Sequence, residues 1–260
     1  MPFNGIIIIF FALYGISNLT ELKQRVLFFL KRYLLLVVML FLSLLVWIPQ
    51  FIYLKKVTGG FFLYSYSGES FFFLNPKILE GLFSFRKGWL LYTPMMGFAL
   101  IGLFSMKNDL KKIKFPIVLF FIINIYIIFS WWCWWYGGSF GQRSLIESYA
   151  ILAIPFASFI KLLSEKKWYY NTLFYGTAAF FIWLNIFQTY QFEHKYGSLH
   201  HDGMSKELYV RQFGKLDKIS DFDKYIDWPN YENAKKGRKK DDEFIMNNPE
   251  AEPRGIVLTE

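Results

Sequence analysis

The chain has 260 residues, of which 54% are hydrophobic and 22% aromatic, and its formal net charge is +9. Residues 1–190 contain 17 lysines and arginines against 6 acidic residues, whereas residues 191–260 contain 12 against 14. The basic excess therefore lies in short patches between apolar runs, which favours membrane topology over nucleic-acid binding. Cys133 is the only cysteine, so an intrachain disulfide and a thiolate metal cluster are excluded.

Six apolar runs predict an all-α, polytopic bundle of transmembrane helices in residues 1–190. The run 33–53, for example, is long enough at about 1.5 Å per residue to cross a hydrocarbon core of roughly 30 Å. We predict five such spans and a shorter N-terminal one. In chain order the six spans cover residues 6–16, 33–53, 89–106, 115–132, 145–163 and 168–190.

The charged loops predict which side of the membrane each loop occupies. Eleven lysines and arginines lie in the segments 23–32, 107–114 and 161–167, and such clusters mark the cytoplasmic side. The loops 54–88 and 133–144 and the tail 191–260 then lie outside. We therefore expect a small, partly helical extracytoplasmic tail.

The extracytoplasmic segments contain short helical patterns. Asn75 and Pro76 form a helix-start signal that predicts an interfacial helix ending near Phe83. In the tail, residues Met204–Phe213 and Asp221–Ile226 favour two further short helices.

The segment Trp131–Arg143 combines six aromatic side chains, three glycines and one arginine at a predicted membrane boundary. Tryptophan and tyrosine favour the headgroup layer, which makes an interfacial turn the first interpretation. Glycines also allow a ligand to come close to the backbone. We therefore interpret Trp135 and Gly138 as part of one wall of a binding site.

Charged residues near this segment are candidate ligand-binding groups. Glu147 follows Arg143 by four positions, so an ion pair on one helix face is predicted. The alternative is a pair of snorkelling side chains that only fixes the depth of the helix. Arg86 and Lys87 lie on the same predicted side and favour a phosphate or pyrophosphate pocket. The alternative is nonspecific contact with anionic headgroups.

Other ionisable residues favour surface roles. Glu69 and Glu80 have no neighbours in sequence that would raise the pKa of either carboxyl group, so they are weak candidates for a general base. The histidines 194, 200 and 201, together with Asp202, fit no zinc-ligand spacing. We predict no metal site and no cofactor.

Two segments resemble parts of bacterial multi-pass glycosyltransferases of the GT-C superfamily, relatives of the dolichyl-phosphate-mannose mannosyltransferases. One is the Trp-rich turn that continues into Gly-Gly-Ser-Phe-Gly-Gln-Arg, and the other is residues 82–94, Leu-Phe-Ser-Phe-Arg-Lys-Gly-Trp-Leu-Leu-Tyr-Thr-Pro. Together the resemblance covers about residues 50–190. The resemblance implies an enzyme of the bacterial cytoplasmic (inner) membrane that transfers a sugar from a polyprenyl-phosphate donor to an extracytoplasmic acceptor.

In this family a carboxylate of the first outer loop acts on the acceptor, and cations hold the lipid phosphate. Residues 1–5 contain no acidic side chain, so we expect a C-terminal part of a longer protein, or a chain that relies on a partner membrane subunit. The resemblance transfers candidate phosphate-binding and site-shaping roles to Arg86, Lys87, Arg143 and Glu147. It assigns no catalytic residue.

Two alternatives to an enzyme stay open. A lipid or solute transporter would place ionisable residues deep within several spans, and these runs contain almost none. A noncatalytic assembly subunit is favoured by the missing carboxylate.

Overall fold

The computed structural model describes residues 7–16, 19–62, 68–194, 197–200 and 202–237. Over these residues the chain is mostly helical and contains no β-strand, as the sequence predicts. It divides into two compact units, the first comprising Met1–Glu69 and Lys107–Phe120 and the second Ser70–Met106 and Phe121–Glu260.

Eleven α-helices follow one another in the described residues. They are α1 (Ile7–Leu13), α2 (Leu19–Lys31), α3 (Tyr33–Thr58), α4 (Ile78–Phe83), α5 (Trp89–Tyr92), α6 (Met95–Ser105), α7 (Lys111–Phe129), α8 (Tyr149–Ser164), α9 (Trp168–Glu193), α10 (Lys206–Gln212) and α11 (Tyr231–Lys235). Three 3₁₀ helices, Asn108–Leu110, Arg143–Ser148 and Phe222–Tyr225, accompany them.

Three helical segments of the described chain are long and apolar enough to cross a membrane. They are Tyr33–Thr58, Asn108–Phe129 and Arg143–Ser164. Of the five long spans expected from the sequence, these correspond to 33–53, 115–132 and 145–163, so the five-span count is not confirmed.

The two remaining long spans differ from the prediction for separate reasons. The run 89–106 is interrupted at Thr93 and Pro94, and only the short apolar helix α6 follows. A residue before proline disfavours the helical conformation, which explains the break. Helix α9 covers the predicted span 168–190 and has 26 residues. Polar side chains such as Asn171, Asn185 and Gln188 lower its mean hydropathy, so it is not one of the three long apolar helices. Of the short predicted span 6–16, α1 is the helical part described, and residue 6 lies outside the described residues.

In the first unit, α3 has no buried residue. Its exposed surface is apolar along almost its whole length, the pattern of a helix that requires lipid or another apolar environment. At its C-terminus Gly59 adopts a left-handed conformation and donates its amide to the Lys55 carbonyl at 3.2 Å. Arg25 of α2 donates to the carbonyls of Ala12 and Tyr14, which satisfies acceptors at the end of α1.

In the second unit, α6 and α8 pack most closely. A methyl group at Gly102 would collide with the carbonyl oxygen of Pro155, so this glycine lets the two backbones approach. The hydroxyls of Ser105 and Ser158 lie 3.0 Å apart between the same helices. Small residues and a polar contact are typical of helix pairs that pack in lipid.

The described part of the tail forms its own apolar cluster against Tyr92. The buried members are Tyr92, Leu199, Met204, Leu208, Tyr209, Phe222 and Ile226. Helix α10 and the 3₁₀ helix Phe222–Tyr225 fall within the two segments expected to be helical. The serine at 205 caps α10 by accepting from the Leu208 amide at 3.0 Å.

Candidate functional site at the tryptophan-rich turn

The turn that follows α7 is built on two consecutive residues with positive φ. Tyr136 has φ 56° and Gly137 has φ 63°, a conformation that glycine tolerates and tyrosine adopts only at a cost. The hydroxyl of Tyr136 donates to the Ile128 carbonyl at 2.9 Å, which holds the strained residue in place. This bond is buried, so the turn is fixed from the protein interior.

The second half of the turn is closed by Gly141 and Gln142. Gly141 has φ 51°, and a Cβ there would lie 3.2 Å from Cβ of Tyr92. The Gln142 amide donates to the Trp134 carbonyl at 2.9 Å within the buried interior of the turn. Glycine is therefore favoured at position 141, and the Gln142 side chain connects the two halves of the turn.

Most of the tryptophans in this turn are buried in the protein. Trp135 is fully buried, and Trp132 and Trp134 are nearly so. These three side chains therefore pack against the protein and not against lipid headgroups. The physical reason lies in the tail, because Tyr231 packs edge-on against Trp132 and Trp135, with ring centroids 6.0 and 5.5 Å away.

Arg86 lies against the same rings. It belongs to a tight turn after α4, in which the Gly88 amide donates to the Ser84 carbonyl at 2.8 Å. Its guanidinium carbon lies 5.2 Å from the ring centroid of Trp135, within the range of a cation–π contact. Its Nη2 donates to the Asp227 main-chain carbonyl at 3.5 Å.

Lys87 lies next to the glycines of the turn. Its ammonium group donates to the Gly137 carbonyl and lies 3.4 Å from the Ser139 hydroxyl. It also forms an ion pair with Asp202, with Nζ and Oδ1 3.6 Å apart. The structure thus brings one predicted phosphate-binding cation onto the glycine turn, together with an acidic residue of the tail.

Asp202 is fixed from several sides. Its Oδ2 accepts from the Tyr231 hydroxyl at 2.7 Å. The His200 Nδ1 accepts from the backbone amides of Asp202 and Gly203, at 3.2 and 2.8 Å. The sequence placed Asp202 only in a possible metal group, and no local signal connects it or Tyr231 with Lys87.

Burial changes the pKa values of two charged groups at this site. The pKa of Lys87 falls from 10.5 to about 8, chiefly because burial disfavours the ammonium ion, while Asp202 opposes the change. The pKa of Asp227 rises from 3.8 to about 7, again chiefly through burial, while Arg86 opposes the change. A carboxyl group that exchanges a proton near neutrality therefore lies beside Arg86.

The remaining candidates are exposed. Arg143 begins a 3₁₀ helix, Glu147 lies in its second turn, and Gly138 is at the surface of the turn. The structure forms no ion pair between Arg143 and Glu147, both of which it describes, so that prediction is wrong. In a 3₁₀ helix of three residues per turn, positions four apart do not share a face. Arg143 is close enough to Lys87 to lower its pKa.

No group of three His, Cys, Asp or Glu side chains is placed to hold a metal ion within the described residues. His200 is occupied by the two backbone amides, and His201 lies outside the residues described. Comparison of the chain with protein-family models, curated proteins and solved structures found no match.

Proposed function

We propose that this chain is a multi-pass membrane glycosyltransferase of the GT-C type, or a portion of one, that binds a polyprenyl-phosphate-sugar donor. The observation that carries the proposal is the contact of the Arg86–Lys87 pair with the Trp131–Arg143 turn. These are the two segments in which the sequence resembles GT-C enzymes. Two cations, a glycine turn with one exposed glycine and an exposed Arg143 provide the chemistry that a lipid-linked phosphate requires.

The proposed roles follow from charge and exposure. Arg143 is exposed and meets the phosphate first, and Lys87 neutralises it at the glycine turn. Arg86 and Trp135 support the buried side of the site. Glu147 and Gly138 shape its exposed edge. The proposal assigns no catalytic base.

The proposed topology has six spans, with the turn and the tail outside the cytoplasm in a bacterial inner membrane. The three long apolar helices and the uneven distribution of lysine and arginine support it. Alkaline phosphatase, which is active only outside the cytoplasm, tests the orientation. A fusion after Gly237 is expected to be active and a fusion after Lys112 inactive; the reverse pattern contradicts the topology.

Binding of a labelled polyprenyl-phosphate sugar to the purified chain tests the function. Arg143→Ala is expected to weaken binding about tenfold because it removes a charge-assisted contact with phosphate. Arg211→Ala is the matched control, since Arg211 is also exposed but pairs with Glu207 on α10 at 2.8 Å. Equal binding by the wild type and Arg143→Ala removes Arg143 from the site, and no binding by the wild type contradicts the proposed function.

A noncatalytic assembly subunit is the second candidate. One observation favours it: the side chain of Lys87 is only 2% exposed and already has Asp202 as its counter-ion. In that role Arg86 and Lys87 hold the tail against the turn. Copurification of a stable membrane partner, without binding of the lipid-linked sugar, supports this candidate over the enzyme.

A further inference from the structure

Asp202 occupies the position at Lys87 that an anionic ligand requires. A lysine ammonium group interacts with a carboxylate and with a phosphate oxygen through the same charge and the same N–H donors. The Asp202 side chain is 11% exposed, against 2% for Lys87. Asp202 is therefore the partner of Lys87 that lies nearer to solvent.

The segment that carries Asp202 is connected to a second tail segment. The Asp227 amide donates to the Gly203 carbonyl at 2.8 Å, and the Ser205 hydroxyl donates to the Tyr225 carbonyl at 2.7 Å. Tyr231 then bonds to Asp202 itself. We call residues 202–205 and 225–231 the tail latch, because these bonds join them into one piece that covers Lys87 and Arg86.

We propose that the tail latch is a built-in competitor, in which the Asp202 carboxylate occupies the phosphate position at Lys87 and a lipid-linked phosphate must displace it to bind. This inference rests on the proposed function, and it adds how access to that site is controlled. Exchange of carboxylate for phosphate keeps a counter-ion beside Lys87 throughout. That matters because a buried ammonium group without a counter-ion is strongly disfavoured.

Two residues that act on the Lys87–Asp202 ion pair are exposed. Tyr231, which supports Asp202, is itself exposed at 37%. Arg143 is exposed and acts on Lys87 electrostatically, lowering the pKa of its ammonium group. Tyr231 and Arg143 can thus both be reached from solvent.

The test measures binding of undecaprenyl phosphate, and separately of inorganic phosphate, to the full chain in detergent. Asp202→Asn is expected to bind the lipid phosphate at least about tenfold more tightly than the wild type, because no carboxylate has to be displaced. Tyr231→Phe removes only the supporting hydrogen bond, so a smaller gain is expected. Asp217→Asn, which removes an exposed charge of the same tail, controls for net charge and is expected to bind like the wild type.

A gain with either phosphate probe supports the competitor role, and the two probes show whether the lipid is needed. If the wild type binds and both latch variants bind equally well or more weakly, this inference is overturned while the proposed function stands. If Asp202→Asn does not yield a folded protein, Tyr231→Phe decides. Failure of the wild type and of all variants to bind contradicts the proposed function as well.

Discussion

The ammonium group of Lys87 and the carboxylate of Asp202 form an ion pair at 3.6 Å, with both side chains largely removed from water. One residue follows α4 and the other belongs to the tail. Loss of either partner leaves a charge in a poorly solvated position. The tail therefore supplies the counter-ion for the lysine at the turn.

The first prediction concerns the energy of this pair. Lys87→Met and Asp202→Asn are each expected to lower the free energy of unfolding by about 2–4 kcal/mol, because each leaves one charge without its partner. The double variant is expected to lose less than the sum of the two. Titration with a denaturing detergent measures the free energy of unfolding of the wild type, the two single variants and the double variant. Additive losses show that the two side chains are not coupled.

The second prediction concerns Asp227, whose pKa is raised to about 7. Between pH 4 and 7 the folded protein binds more protons at this group than the unfolded chain, so its contribution to stability falls as pH rises. Asp227→Asn removes this titrating group. The free energy of unfolding of the variant is therefore expected to exceed that of the wild type by an amount that grows from pH 4 to 7 and then levels off. We expect about 1–2 kcal/mol at pH 8, discounted because the carboxyl group is partly solvated.

Unfolding measured at a series of pH values tests this dependence. Asp223→Asn is the matched control because Asp223 lies nearby in the same tail but is exposed. Parallel stability curves for the wild type and Asp227→Asn contradict the prediction.

The third prediction concerns Cys133, which is buried in the turn and whose pKa burial raises to about 12. Only the thiolate reacts with maleimide, and a pKa of about 12 instead of 9.0 lowers the thiolate fraction at pH 7.5 about 1000-fold. We expect labelling of the native protein at pH 7.5 to be slower than labelling of the unfolded chain by at least that factor. Mass spectrometry measures both rates on this single cysteine, and comparable rates contradict the buried turn.

The fourth prediction concerns the close approach of α6 and α8. Gly102→Ala is expected to destabilise the protein by about 1–3 kcal/mol because the added methyl group meets the Pro155 carbonyl. Gly97→Ala, in the same helix, is the control because no atom lies within 4 Å of a Cβ built there. Thermal unfolding in one detergent compares the two. Equal midpoints show that the helices do not pack through Gly102.

Part of this architecture could be predicted from local sequence. Helix α3 is fixed by the length and uniform hydrophobicity of one run, and α4 ends at Phe83 as the pattern after Asn75 predicts. The break before α6 also had a local signal, because Pro94 disfavours helix at Thr93. The Arg143–Glu147 prediction failed because it assumed an α-helix where the backbone forms a 3₁₀ helix.

The helical class, three of the long apolar helices and a glycine-rich turn could be predicted from the sequence alone. These depend on hydropathy, length and backbone preference, which act over a few neighbouring residues. The folded structure was needed to show that three tryptophans are buried, that Asp202 pairs with Lys87 and Tyr231, and that Asp227 lies beside Arg86. Such contacts join distant segments and depend on how the tail packs against Tyr92, which no local pattern encodes.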